Sequence, residues 1–151
     1  MRQNVQNDNW SESVAIVPPI ANVYDATAND SDKTFTAPTN ELWKVCHAHV
    51  TLISSADAGN RQMSLEVSDA DGNTITHLLA GAVQAASLTR HYGFLQGIFR
   101  ETAFVANELQ VPLPIDLYIP PGGTIRIYDS AAIAAGADDM TVAFQYMKFT
   151  V

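Results

Sequence analysis

The sequence predicts an all-β domain: an antiparallel β-sandwich, jelly-roll-like, with about eight strands. Three observations point there. Apolar and polar residues alternate with a period of two, most cleanly over Arg61 to Asp69, where Met63, Leu65 and Val67 face one way and Gln62, Ser64, Glu66 and Ser68 the other. Clusters of Gly, Pro, Asn and Asp punctuate these segments. No stretch carries the apolar period of an amphipathic helix, and no internal repeat of about 20–50 residues is visible.

Met1 to Ser13 is rich in Asn, Gln and Asp and reads as a flexible N-terminal arm, leaving residues 14–151 as the sandwich. Trp10 stands alone in that arm, placed either to fold back on its own domain or to anchor the arm on a partner, since tryptophan is enriched at interface hot spots. Val14 to Val17 is a short strand ended by Pro18-Pro19, and Ile20 to Asp25 is another short apolar run. Asn29 to Asp32 is a turn, followed by a weakly alternating strand, Lys33 to Ala37, that Pro38-Thr39-Asn40 closes. Short strands beside prolines behave as sheet edges.

Glu41 to Ser54 is the longest strand candidate. Leu42, Val50 and Leu52 on one parity and Trp43, Val45 and Ile53 on the other are all apolar, so it is either covered on both faces or bulged so that its faces swap. Ala56 to Asn60 reads as a hairpin loop. Asp69 to Asn73 reads as a second hairpin turn, with an Asp-Gly pair that favours positive φ, and Asn73 to Ala80 returns as a strand. Ala82 to Gly97 reads as strand throughout and Ile98 to Asn107 as a loop. Leu109 to Val111 and Ile115 to Ile119 are strands separated by Pro112. Pro120 to Gly123 is a turn, because proline cannot donate to a ladder and glycine reaches positive φ without steric cost. Thr124 to Asp129 alternates, Ala131 to Asp138 is a loop with room for one helical turn, and Thr141 to Val151 is the last strand.

That last strand is apolar on both faces. Val142, Phe144 and Tyr146 share one. Ala143, Met147, Phe149 and Val151 share the other, broken only by Gln145. One face meets the core; a loop or another subunit covers the other. Gln145, Met147, Phe149 and Val151, together with Trp10, are therefore the candidate partner-binding residues.

The composition narrows the function. A chain of 151 residues suggests one domain. Only 16% of residues are charged, against the usual ~25%, which suits a protein partly covered by something else as well as it suits a bland polar surface. A net charge of −8 without a Lys/Arg cluster argues against nucleic acid as a partner. The N-terminus lacks the apolar stretch of a secretory signal, and no apolar run is long enough to span a membrane, so a soluble protein made in a cytoplasm is expected. Cys46, the one cysteine, reads as a small buried hydrophobe.

Candidates for chemistry are few. His47-Ala48-His49 puts two imidazoles on one side of a strand, where both could reach one metal ion, with His77 or His91 as a third ligand. Cupin enzymes follow such a pair with a glutamate, whereas Val50, Thr51, Leu52, Ile53 and Ser54 follow it here; two polar residues on a solvent or interface face is the simpler account. Asp69-Ala70-Asp71-Gly72-Asn73 has the carboxylate density of a calcium loop, yet Thr74 and Ala80 occupy the positions where an EF-hand needs Gly and Glu. A plain turn is the simpler account, and a calcium site of another kind, shared with Asp138-Asp139, is the alternative. Trp43, Tyr92, Phe94, Tyr24 and Trp10 are the pool of aromatics for sugar stacking, although alternating aromatics more often build a core. No nucleophile motif, phosphate loop or dinucleotide fingerprint is present, so the expectation is no enzyme, no catalytic residue, no cofactor and no metal.

Several motifs, in order, resemble a known family. They are Asn60-Arg61-Gln62, Asp71-Gly72-Asn73, Gln84-Ala85-Ala86-Ser87-Leu88-Thr89, Val111-Pro112-Leu113-Pro114, Ile119 to Arg126, and Asp138-Asp139-Met140-Thr141-Val142. Together they span Glu41 to Val151 and resemble the small β-sandwich decoration, or cement, proteins of tailed-bacteriophage heads. The resemblance implies a jelly-roll-like fold, a homo-oligomer such as a trimer seated on the major capsid protein at the virion surface, assembly in the host cytoplasm, and no enzymatic activity. Met1 to Ser13 would then be a shell-binding arm. A carbohydrate- or receptor-binding module of a phage fibre or tail is the first alternative, and a cupin-like metalloenzyme the second.

Overall fold

The computed structural model describes residues 18–28, 31–131, 133 and 136–151. The arm, Trp10 and the strand expected over Val14 to Val17 lie outside the described residues. Ten strands follow one another: β1 (Ile20–Asp25), β2 (Asp32–Thr36), β3 (Glu41–Ile53), β4 (Met63–Ser68), β5 (Thr74–Leu79), β6 (Thr89–Gln96), β7 (Glu108–Leu113), β8 (Tyr118–Ile119), β9 (Thr124–Asp129) and β10 (Asp139–Thr150). They form two sheets. The first has the order β1-β10-β3-β6-β7, with β8 beside β3; the second has the order β2-β9-β4-β5.

The pairings nest: β1 with β10, β2 with β9, β3 with β6, and β4 with β5, all antiparallel. A chain folded as one long hairpin and wound across two sheets pairs in this way, which is the jelly roll. Eight strands make this nested set; the strands expected at Leu109 to Val111 and Ile115 to Ile119 fall at β7 and β8, with β8 reduced to Tyr118–Ile119. β7 and β8 are inserted between β6 and β9 and bring the count to ten. β7 also departs from the expected antiparallel pattern, because it runs parallel to β6.

Inward residues of both sheets make a single core. Trp43, Val50, Leu52, Tyr92, Phe94, Val142 and Phe144 from the first sheet meet Met63, Leu65, Val67, Ile125 and Ile127 from the second. β3 resolves its two apolar parities by a bulge. Gln145 pairs with His47 and Tyr146 with Val45, so Cys46 is the extra residue. Trp43 and Val45 point inward before it, and Ala48, Val50 and Leu52 after it. Cys46 itself is half-buried.

Three expected elements differ. The loop at Ala56 to Asn60 joins β3 of the first sheet to β4 of the second, so it is a crossing between sheets and not a hairpin. Ala82 to Leu88 is irregular, with only Gln84 bridged, to Arg61; strand begins at Thr89. Pro112 lies inside β7 instead of separating two strands. β7 is an edge strand, and the N–H of Gln110 points away from β6 to Glu101 Oε2 at 2.6 Å. Pro112, two residues on, would point its missing N–H the same way, so the ladder with β6 loses nothing.

The Pro120 to Gly123 turn is the corner between the sheets, carrying the chain from β8 to β9. Gly123 N–H donates to Pro120 O at 2.9 Å, and Ala37 brackets the turn through Gly123 O and Gly122 N. Gly122 sits at φ +74°, and a Cβ on Gly123 would lie 2.6 Å from Ser68 O, so both positions demand glycine.

One end of the sandwich is fastened by a buried ion pair. Arg61 and Asp138 are both fully buried, with Arg61 Nε donating to Asp138 Oδ2 at 2.8 Å. Arg61 also donates to the carbonyls of Asp57 and Gly59, and Ser55 N–H donates to Asp138. Burial alone would raise the Asp138 carboxyl; the Arg61 guanidinium and the Ser55 amide outweigh it and hold the group below the usual carboxylate range. Beside this pair, buried Gln84 donates to the carbonyls of Leu52 and Leu88 and accepts from the Tyr92 hydroxyl.

Candidate functional site

The outer face of the first sheet is the candidate site. Strand register lays its outward residues in rows. One row reads Asn22, Gln145, His47, Leu95, Pro112 from β1 to β7, and the next reads Tyr24, Ala143, His49, Gly93, Gln110. Ile20, Met147, Lys44 and Tyr118 flank them on one side; Thr141, Thr51, His91 and Glu108 flank them on the other. The two central rows carry no formal charge. In the outer rows, Lys44 is paired with Asp116 at 2.7 Å, and Glu108 stands at the β7 edge. Ile20 and Tyr24 are 57% and 70% exposed, so the face is open.

Its polar groups are amides, hydroxyls and imidazoles. Gln145 Nε2 donates to Asn22 Oδ1 at 3.0 Å, and Thr51 Oγ1 and His91 Nδ1 share a hydrogen bond at 3.0 Å. The His49 and His91 rings lie nearly parallel with centroids 5.7 Å apart. Gln145, Met147 and Phe149 thus belong to the outward face of β10, as expected, with Val142, Phe144 and Tyr146 in the core. Phe149 lies across from Leu42 and lines a cleft of about 400 Å³ with Pro18, Pro19, Lys148 and Thr150. Val151 lies just past β10, exposed, its N–H donating to Asn40 O. Trp10 is outside the described residues.

Sequence reasoning missed the contribution of β1 and β6. The parity of Ile20, Asn22 and Tyr24 was visible, but only register shows that they continue the β10 face. The same holds for His91, which only the pairing of β6 with β3 brings beside His49.

The outer face of the second sheet is built differently. Arg126 bridges Asp32 and lies over the Tyr128 ring, 4.1 Å from its centroid. Glu66 accepts from Tyr128, Thr74 and Ser68, and the His77 ring stacks near Tyr128. The hydrogen bond to Asp32 raises the Arg126 guanidinium further above its ordinary value; burial, with Glu66 beside it, pushes the Tyr128 hydroxyl up. These side chains satisfy one another.

No family model and no curated protein matches the chain. A chain in the structure of infectious bursal disease virus, Gx strain, is similar to it, with 12% identity and a TM-score of 0.31. The match covers 89% of this chain and 41% of that one, so this chain spans about two fifths of its neighbour's length.

The other candidates find local roles. His47 and His49 point away from the sandwich interior, and among the described residues no three His, Cys, Asp or Glu side chains converge on a metal position. Asp69 directs its carboxylate into its own turn, accepting from the N–H groups of Asp71 and Asn73 and from the Asn73 side chain, which hold it below the usual carboxylate range. Asp138 is turned inward on Arg61, so it is not available to a calcium site shared with that turn. Trp43, Tyr92 and Phe94 are core residues, which removes them from the sugar-stacking pool and leaves Tyr24 exposed among the described ones.

Proposed function

We propose that this chain is a structural virion protein, a capsid decoration protein that binds the outer shell as a homo-oligomer and stabilises it. The observation that carries this is the open outer face of the first sheet, whose two central rows bear no formal charge in a chain of net charge −8. A surface of that kind serves contact between proteins better than recognition of a charged ligand. The order of motifs from Glu41 to Val151, which resembles phage-head decoration proteins, supports the same role, with the major capsid protein as partner. Bridging neighbouring shell subunits would resist outward pressure through many modest contacts.

The test is co-purification of the full chain with intact particles, with its copy number measured by quantitative mass spectrometry. A fixed stoichiometry to the shell protein is expected, and absence from washed particles would sink the proposal. Deleting Met1 to Ser13 is expected to weaken particle binding while leaving the circular dichroism spectrum unchanged; undiminished binding would take the arm out of the mechanism.

A further inference from the structure

We infer that the outer face of the first sheet is a contact between copies of this chain, and that His47, His49 and His91 make this contact open on acidification. The inference rests on the proposed homo-oligomer and names its surface and its regulation.

A second copy is the occupant that the charge distribution favours. With net charge −8, two copies repel wherever carboxylates meet. The two central rows present none, and they also lack the positive charge that an acidic partner of another kind would select. A neutral face is compatible with its own image. Its extent approaches what is needed: the two neutral rows with their two margins, at about 4.8 Å between strands and about 6.8 Å between rows, give a footprint of about 590 Å², before side-chain relief, against about 800 Å² per partner in a standard interface.

The histidines set the pH response. Histidine is the side chain whose ordinary charge change falls between about pH 5 and 8. His47 faces Gln145 and Leu95, and His49 faces Ala143 and Gly93, with Asn22 and Tyr24 beyond on β1. The charged groups on the surrounding positions are Lys44, already paired with Asp116, Glu108, which neighbours His91, and Glu101 at the far edge, held by the Gln110 N–H. His47 and His49 therefore face no carboxylate across the register, whereas His91 faces Glu108. Protons on His49 and His91 would also repel each other across 5.7 Å. Covering this face with another protein disfavours the charged imidazoles further. The assembled state then binds fewer protons than the separated one, so association holds above the histidine range and is lost as pH falls through it. Bulk charge works in the opposite sense. The chain nears its isoelectric point of about 4.7 on acidification, and general repulsion between copies fades.

The test is sedimentation velocity on the full chain at about pH 8 and about pH 6, with circular dichroism at both to confirm the fold. Wild type is expected to associate at the higher pH and to weaken at least about tenfold at the lower. His47→Asn combined with His49→Asn is expected to associate at both, and His91→Asn to retain most of the response. Association of equal strength at both pH values in wild type, or an undiminished response in the double variant, overturns the inference and leaves the homo-oligomer standing. A wild-type monomer at both pH values overturns the two together.

Discussion

The two outer faces of this sandwich are made by the same fold from the same alternation, yet they solve opposite problems. On the second sheet, Asp32, Arg126, Tyr128 and Glu66 form a connected set that meets its own electrostatic needs. On the first, charges are confined to the margin, and the centre offers Gln145, Ala143, His47, His49 and Gly93. The core does not dictate either face, because residues pointing inward from both sheets settle the fold. The difference teaches where the chain is free to meet something else. A face whose side chains already satisfy one another gains little by being covered, whereas a neutral, open face loses little polar hydration when it is.

The largest expected effect is on the scaffold that both faces share. Arg61→Met removes the partner of buried Asp138 and frees the loops that Arg61 ties together, at a cost of about 3–5 kcal/mol. A urea titration should show the unfolding free energy falling by that amount, and a loss under about 1 kcal/mol would mean that the pair is replaceable. The pH dependence has a definite sign. Asp138 is held below its ordinary value of 3.8, so its contribution is fully present above that value and is lost as pH falls through the lowered one. The difference in unfolding free energy between wild type and Arg61→Met should therefore narrow as pH falls below 3.8, and a constant difference would mean that Asp138 does not carry it.

The next effect separates the faces. Gln145→Glu places one carboxylate per copy at the centre of the first sheet's outer face, and Thr34→Glu places one on the outer face of the second, on its edge strand β2. Both positions are on the surface side of their strands, so each should change the unfolding free energy by no more than about 0.5 kcal/mol. Gln145→Glu should weaken self-association at least about tenfold, since like charges brought together across an interface cost several kcal/mol. Thr34→Glu should leave it unchanged. Equal effects from the two substitutions would erase the distinction between the faces.

Much of this was legible in the sequence, for physical reasons that also mark the limit. Alternation reports which residues point the same way, so β4, β9 and the two faces of β10 could be read directly. It does not report which strand lies alongside. The loop at Ala56 to Asn60 has hairpin chemistry, yet it crosses between sheets, because its ends are fixed by Arg61 and Ser55 on Asp138 and not by a cross-strand ladder. Pro112 looked like an interruption, since only the pairing shows that its missing N–H falls on the free side of an edge. The swap of parity in β3 was visible as a conflict, and the bulge at Cys46 is its resolution. The candidate face was half legible for the same reason: Gln145, Met147 and Phe149 share a strand, whereas Tyr24 and His91 join them only through register.

The smallest expected effect tests whether the second sheet's outer face is as self-sufficient as its contacts imply. Arg126→Gln removes the charge that bridges Asp32 and part of the surface that covers Tyr128. Arg126 and Asp32 are each 43% exposed, so water screens the pair, and the ionic part should amount to only about 0.5 kcal/mol. That part should vanish at about 1 M salt, where the screening length falls to about 3 Å, while the part due to packing on Tyr128 should remain. Urea titrations at low and high salt separate the two, and sedimentation of the same variant should show association equal to wild type. A loss above about 2 kcal/mol would mean that this face carries weight that its exposed geometry does not account for. A change in association would mean more: the charged face would then also take part in contact between copies, and the neutrality of the first sheet would no longer distinguish the surface that meets them.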